Sequence, residues 1–436
     1  MHKKLLEKIR LKKFSVVVVG LGYVGLPLFL RFKNKGIKIF GIDNDKKKIS
    51  NLKNGRSYIS DIKDDNLSFI KKNKELVSTS FDLIKKSDVI ILCLPTPLTK
   101  NKAPDLSYLS NAIKIINSYL DKGKILIVES TVYPGATNKL LQKIDKNKFK
   151  IGKDFFIGYS PERENPGDKK FSYDFTPKLI SGYTKNCIRL MRAIYKYIVK
   201  KPIATKTIEI AETSKLLENM YRSVNISLVN ELKIICKKIG IDVFDVIEAA
   251  STKNFGFQKF SPGPGMGGHC IPIDPYYLSW VSKNKGYEPK FIKTSGDLNS
   301  LMPRWIVKNI IKKLKLFKLK YKNPKVLLIG VSYKKNIGDD RESPFFSIVK
   351  ELKKYLIDYD YFDPFFSQIK KGRNFKDNKK SINLNRSNIK KYLATVIITD
   401  HDDIDYELLC KNSKIIFDTR YKLKNFSEKY NNIIFL

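Results

Sequence analysis

The sequence predicts an α/β chain in which two parallel-sheet nucleotide folds are joined by a central helical region. Three observations carry this. Short β-branched runs alternate with helical stretches from Phe14 to about residue 203. A predominantly helical pattern then fills residues 204–302, and strand–helix alternation resumes from residue 303. The expected domains of this 436-residue chain are therefore 1–203, 204–302 and 303–436.

Hydrophobic residues make up 42% of the chain and aromatics 12%, enough to build such cores. No apolar run approaches the roughly 20 residues of a membrane span. The basic start, MHKKLLEKIRLKK, leads into VVVVG rather than a signal sequence, so a cytoplasmic setting is expected. Five Cys and three His show no paired spacing, and neither a disulfide frame nor a metal site is expected. The balance of 84 Lys+Arg against 43 Asp+Glu gives a net charge of +41. Such a balance can mark a nucleic-acid-binding protein. Here the lysines are spread over the whole length with no aromatic-interleaved patch, so lysine-rich solvated surfaces explain the charge better. Neither nucleic acid nor membrane is an expected partner.

Taken in order, residues 3–13 can form a short basic amphipathic helix. Phe14–Val19 reads as a buried strand. It opens into Gly20-Leu21-Gly22-Tyr23-Val24-Gly25 and an apolar helix from Leu26. In that context the glycines make a dinucleotide fingerprint. Gly20 makes the turn, Gly22 lets a pyrophosphate approach, and Gly25 lets helix and strand pack, as in a Rossmann domain. A second strand, Ile37–Ile42, ends at Asp43, placed to bind ribose hydroxyls and to favour NAD. Strands Asp88–Leu94, Lys124–Val128 and Phe155–Gly158 lead to Thr96, Thr131 and Glu162. Ligands of open α/β sheets sit beyond carboxyl strand ends, so these three should face one crevice; turn and capping chemistry is the plainer reading.

A long helix is expected from Ile208, stopping at Gly240. Lys215 and Asn219, four apart, share one face. A lysine there is ordinarily a solvated charge, and Glu212 and Glu218 are expected to solvate the helix. The stretch FSPGPGMGGHCIPIDPYYLSW, Phe260 to Trp280, follows. Its glycines and prolines make a stiff loop that ends on Cys270, with Asp274 just after. It can position a nucleophilic thiol, or simply bury an inert one. Beyond Met302 come a helix, RWIVKNIIKKLKLF, and strands Lys325–Gly330, Asp358–Phe362, Ala394–Thr399 and Lys414–Phe417. The loop between the first two carries Lys334 and Arg341, which could hold phosphate.

Gly20–Gly25, Leu94–Pro97, Glu129–Thr131, Ser160–Arg163, Lys215–Asn219, Gly267–Asp274 and Gly338–Ser343 occur in this order over nearly the whole chain. Together they resemble the motif set of the UDP-glucose/GDP-mannose dehydrogenase family. The Gly-Gly-His269-Cys270 wording is similar to the branch acting on UDP-N-acetylhexosamines, with UDP-N-acetylglucosamine favoured and UDP-N-acetylmannosamine or UDP-glucose as alternatives. The resemblance implies oxidation of the sugar C6 alcohol to a uronate by two NAD+ in turn, through a thiohemiacetal and a thioester on Cys270. It implies that Lys215 and Asn219 stabilise the C6 oxyanion. Asp274, with a water placed by Thr131, would assist proton transfer, and Glu162 would activate the hydrolytic water. Gly20, Leu21, Gly22, Tyr23, Val24, Gly25, Asp43, Lys48, Thr96, Thr131 and Arg341 would hold NAD. Glu162, Arg163, Lys215, Asn219, Phe260, Gly267, His269, Lys334 and Arg420 would hold the UDP-sugar. A homodimer making a precursor of a bacterial surface polysaccharide is implied as well.

Overall fold

The computed structural model describes residues 1–59, 62–99, 101–145, 147–163, 176–268, 273–316, 324–369, 375 and 377–436. The chain forms two compact units, residues 1–218 with 276–288, and residues 219–275 with 289–436.

The first unit is built on eight strands: β1 Ser15–Val19, β2 Lys38–Ile42, β3 Val77–Ser78, β4 Val89–Leu92, β5 Ile125–Val128, β6 Phe156–Tyr159, β7 Lys178–Gly182 and β8 Pro202–Ala204. They lie side by side in the order β3-β2-β1-β4-β5-β6-β7-β8. All five residues of β1 are buried, because helices cover both faces of a parallel sheet. The helix Gly25–Asn34 buries Leu26, Leu28, Phe29 and Phe32, and the N-terminal helix His2–Arg10 buries Leu5 and Ile9. Tyr197 fixes that first helix by donating to the Ile9 carbonyl at 2.7 Å.

One ladder breaks the parallel rule. Strand β7 runs antiparallel to β6, pairing Gly158 with Gly182 and Tyr159 with Ser181. Its first residue, Lys178, therefore stands at the sheet edge where β1, β4, β5 and β6 end.

In the second unit the helix Ile208–Ile239, from Asn219 onward, packs with the helix Lys290–Leu316. The first of these stops as the sequence predicts: Gly240 takes φ +80°, and the Ile241 N–H closes back on the Cys236 carbonyl at 2.9 Å. The second differs from expectation, since it begins twelve residues before Met302 and runs through Pro303. Side chains lace the two helices where proline removes a backbone donor. Asn230 donates to Asn299 at 3.0 Å, and Ser227 donates to the Ser295 carbonyl at 2.9 Å. A five-stranded parallel sheet follows, from β9 Lys325–Ile329, β10 Asp358–Phe362, β13 Ala394–Ile397, β14 Ile416–Asp418 and β15 Ile433–Phe435, with a small antiparallel ribbon of β11 Gln368–Ile369 and β12 Lys379–Lys380. Its order is β10-β9-β13-β14-β15. Among the described residues no helix is long and apolar enough to cross a membrane.

Candidate active site

The glycine turn of the first unit has the geometry a dinucleotide needs. Gly20 adopts φ +93°, which only glycine takes without cost. A Cβ on Gly25 would stand 1.8 Å from the Gly20 carbonyl oxygen, whereas one on Gly22 would meet nothing within 4 Å. Gly25 thus lets the helix seat against the strand, and Gly22 leaves open backbone for a pyrophosphate. At the end of β2 the Asp43 carboxylate accepts the Leu21 and Asp45 N–H groups, both at 2.9 Å, and the Lys48 ammonium at 3.2 Å. The donor set and the open glycine face fit NAD. Val24 is the residue just before the helix, and Tyr23 beside it is partly exposed.

Thr96 and Thr131, 35 residues apart, are brought together beyond β4 and β5: the Thr96 hydroxyl donates to the Thr131 carbonyl at 2.7 Å. Tyr277 donates to the carbonyl of Thr96. Glu162 follows β6, with the Arg163 N–H on its Oε1 at 2.7 Å and Lys178 Nζ on its Oε2 at 3.2 Å. The Arg163 guanidinium pairs with Glu218 at 2.8 Å and donates to the Pro177 carbonyl at 2.7 Å.

Lys178 belongs to a buried network that sequence reasoning missed. Its Nζ also reaches Glu129 Oε2 at 2.9 Å, and the other Glu129 oxygen accepts the Tyr195 hydroxyl. The only sequence signal was a lysine opening the apolar run KLISG. Burial pulls the Lys178 ammonium down, but Glu129 and Glu162 outweigh it and raise its pKa. Glu129 is raised by burial against the pull of Lys178.

Lys215 is buried, not solvated, near the start of the long helix. Glu212 corrects the sequence expectation outright. It has no exposure, and it accepts the Gly135 and Thr137 N–H groups at 2.6 and 2.9 Å. A carboxylate there caps the N-terminus of the Ala136–Leu141 helix. Glu218, in the pair with Arg163, likewise does more than solvate.

In the second unit Asn219 Nδ2 donates to Asp274 Oδ2, and Asp274 is almost wholly buried. The glycine loop closes on the loop after β9. A Cβ on Gly267 would meet Tyr333 Cβ at 2.6 Å, and the Gly268 N–H donates to the Arg341 carbonyl at 2.9 Å. The Arg341 guanidinium is engaged by Asp339 at 2.7–3.1 Å, and Lys334 is half-buried on the same loop. Arg420 donates from Nε to the Ile398 carbonyl at 2.7 Å, and Gly263 lies against its guanidinium. Phe260 packs edge-on to Tyr221 with ring centres 6.0 Å apart. His269 and Cys270 lie outside the described residues.

Three family models match the chain. They are the NAD binding domain over residues 14–199, the central domain over 209–300 and the UDP binding domain over 327–425, all of the UDP-glucose/GDP-mannose dehydrogenase family. The chain is 39% identical to a UDP-N-acetyl-D-glucosamine 6-dehydrogenase of Pseudomonas aeruginosa over 82% of its length and 84% of the relative's. It is 34% identical to the enzyme of that name from Salmonella typhi, over 94% and 96%. A solved UDP-D-ManNAc dehydrogenase from Pyrococcus horikoshii superposes with a TM-score of 0.84 at 29% identity, over 97% of this chain and 98% of that one. With a glycine turn and an acid that fit NAD, and with all three family domains in sequence, the chain belongs to the UDP-glucose/GDP-mannose dehydrogenase family of NAD-dependent enzymes.

Proposed function

We propose that the chain oxidises the C6 alcohol of a UDP-N-acetylhexosamine, with UDP-N-acetylglucosamine the favoured sugar, to the uronate through a thioester on Cys270. The observation that carries the reading is the Asn219–Asp274 hydrogen bond. It ties the long helix to the acid four residues beyond Cys270 and leaves the amide's second N–H for a sugar oxygen. The relatives named UDP-N-acetyl-D-glucosamine 6-dehydrogenase support the choice of sugar. The solved UDP-D-ManNAc dehydrogenase supports UDP-N-acetylmannosamine as the second reading.

The Gly20–Gly25 turn and Asp43 would hold NAD+, which would supply the hydride acceptor for each oxidation. Lys215 and Asn219 stabilise the oxyanion that develops on C6. Asp274, with a water held by Thr131, takes the alcohol proton. The Cys270 thiolate adds to the aldehyde, and the second oxidation leaves a thioester. Glu162 takes a proton from water as its oxygen bonds to the thioester carbonyl; the C–S bond then breaks and the thiolate is restored. Lys334, Arg420, Phe260, Gly267 and His269 hold the UDP-sugar with Arg163, and Arg341 contacts NAD. In this reading residues 1–203 bind NAD, 204–302 carry the Cys270 loop and 303–436 bind UDP. The protein works as a cytoplasmic homodimer.

NADH release measured side by side with UDP-N-acetylglucosamine, UDP-N-acetylmannosamine and UDP-glucose tests this. Two NADH per sugar and the highest kcat/KM on the first are expected. A higher kcat/KM on the second transfers the assignment to the second reading, and no NADH from any of the three overturns it. Cys270→Ala should lose uronate formation while still binding NAD; full turnover in that variant would sink the thioester route.

A further inference from the structure

The mechanism above leaves the Glu129–Lys178–Tyr195 network unused. Two buried ions need only each other, and Lys178 and Glu129 already make a pair at 2.9 Å with side chains 3% and 0% exposed. The same ammonium also reaches Glu162 at 3.2 Å, a second carboxylate on one cation. Glu129 has one oxygen on Lys178 and the other on Tyr195, and its side chain is fully buried, so no ligand reaches it. Glu162 is the most open of the three ions, at 15%. Both its oxygens are held, one by a backbone N–H and one by the ammonium.

We propose that Lys178 is a positioning residue for the hydrolytic step: it fixes the Glu162 carboxylate in one orientation and keeps it ionised, and Glu129 is the counter-charge that holds Lys178 there. This rests on the reading of Glu162 as the base that activates water. The antiparallel turn of β7 makes the arrangement possible by bringing the start of a strand to the ligand edge of the sheet. Among the described residues, the charged and titratable groups around the ammonium are Glu129, Glu162, Tyr195 and Cys93, with Arg163 and its partner Glu218 beyond Glu162. A cation within hydrogen-bond reach lowers a carboxylate pKa by about 1–3. The acidic limb of the hydrolysis rate therefore lies lower than it would without Lys178.

The test compares the full-length Lys178→Met/Glu129→Gln double variant, Lys178→Arg, Glu129→Gln and Glu162→Gln, with NAD+ and UDP-N-acetylglucosamine. Removing both partners of the buried pair avoids stranding one charge. The double variant should keep its circular dichroism and KM, lose on the order of 10- to 100-fold in kcat, and accumulate the sugar thioester by intact-mass spectrometry. Its acidic limb should rise by about 1–3 pH units, and Lys178→Arg should restore both. Glu129→Gln alone, the gentler change, keeps an amide oxygen to hold Lys178 but removes the negative charge nearest Glu162, so it should move the limb the opposite way. It decides the matter even if the double variant does not fold. Unshifted pH limbs, with an adduct trapped by Glu162→Gln, would make Lys178 a packing residue only. No adduct in Glu162→Gln would instead bring down the reading of Glu162, and this proposal with it.

Discussion

Lys233 sits on the long helix of the second unit, 4% exposed. Its amine has no hydrogen-bond partner among the described residues and lies 5.4 Å from the centre of the Phe244 ring. Burial, only partly offset by Asp418, brings its pKa from 10.5 down to about 7. The unfolded chain holds a proton there that the folded chain gives up, so stability rises with pH between about 7 and 10.5. A drop of that size corresponds to roughly 4 kcal/mol of lost stability at pH 7 and about 2 kcal/mol at pH 9. Lys233→Met keeps the length of the chain and removes the titration. It should therefore stabilise the unit by up to about 4 kcal/mol at pH 7, and by about 2 kcal/mol less at pH 9. Urea unfolding followed through Trp305, in a Trp280→Phe background, measures this at both pH values. A gain that does not change with pH would refute the neutral buried amine. A loss of stability at pH 7 would mean that the ammonium is charged and useful in the folded state.

Other expectations are simpler to read. Gly25→Ala sets a methyl 1.8 Å from the Gly20 carbonyl and should abolish NAD binding together with much of the first unit's thermal stability. Gly22→Ala enters open space, so its melting temperature should hold while calorimetry shows NAD affinity falling. Glu212→Ala should cost about 2–4 kcal/mol in thermal unfolding, because two helix N–H groups lose a buried carboxylate. Asp274→Asn should cut turnover by on the order of 100-fold or more with NAD binding unchanged, read by stopped-flow NADH absorbance.

The strands that make the core of each sheet were legible because they are buried on both faces and therefore read as unbroken apolar runs, as SVVVV and KVLLI do. The glycine turn was legible because its reasons are local. Short edge strands such as Val77–Ser78 and Ile433–Phe435 carry too few residues to show a period. The helix through Pro303 was hidden because the bonds that steady it come from Ser227 and Asn230 on another helix. Glu212 looked like solvent decoration, since its partners lie 75 and 77 residues away. The same holds for Lys178: its carboxylates stand 49 and 16 residues off, and only the reversed strand brings them together.

That reversal has a consequence for the economy of turnover. Residues carried by loops lose freedom each time a ligand settles, and that loss recurs in every cycle. A group anchored in a pleated ladder surrenders its freedom once, when the polypeptide first folds. By turning one ribbon end for end, the sheet sets Lys178 against Glu129 and Glu162 from a fixed place in the ladder, and the entropy of that ordering is already spent before any nucleotide arrives.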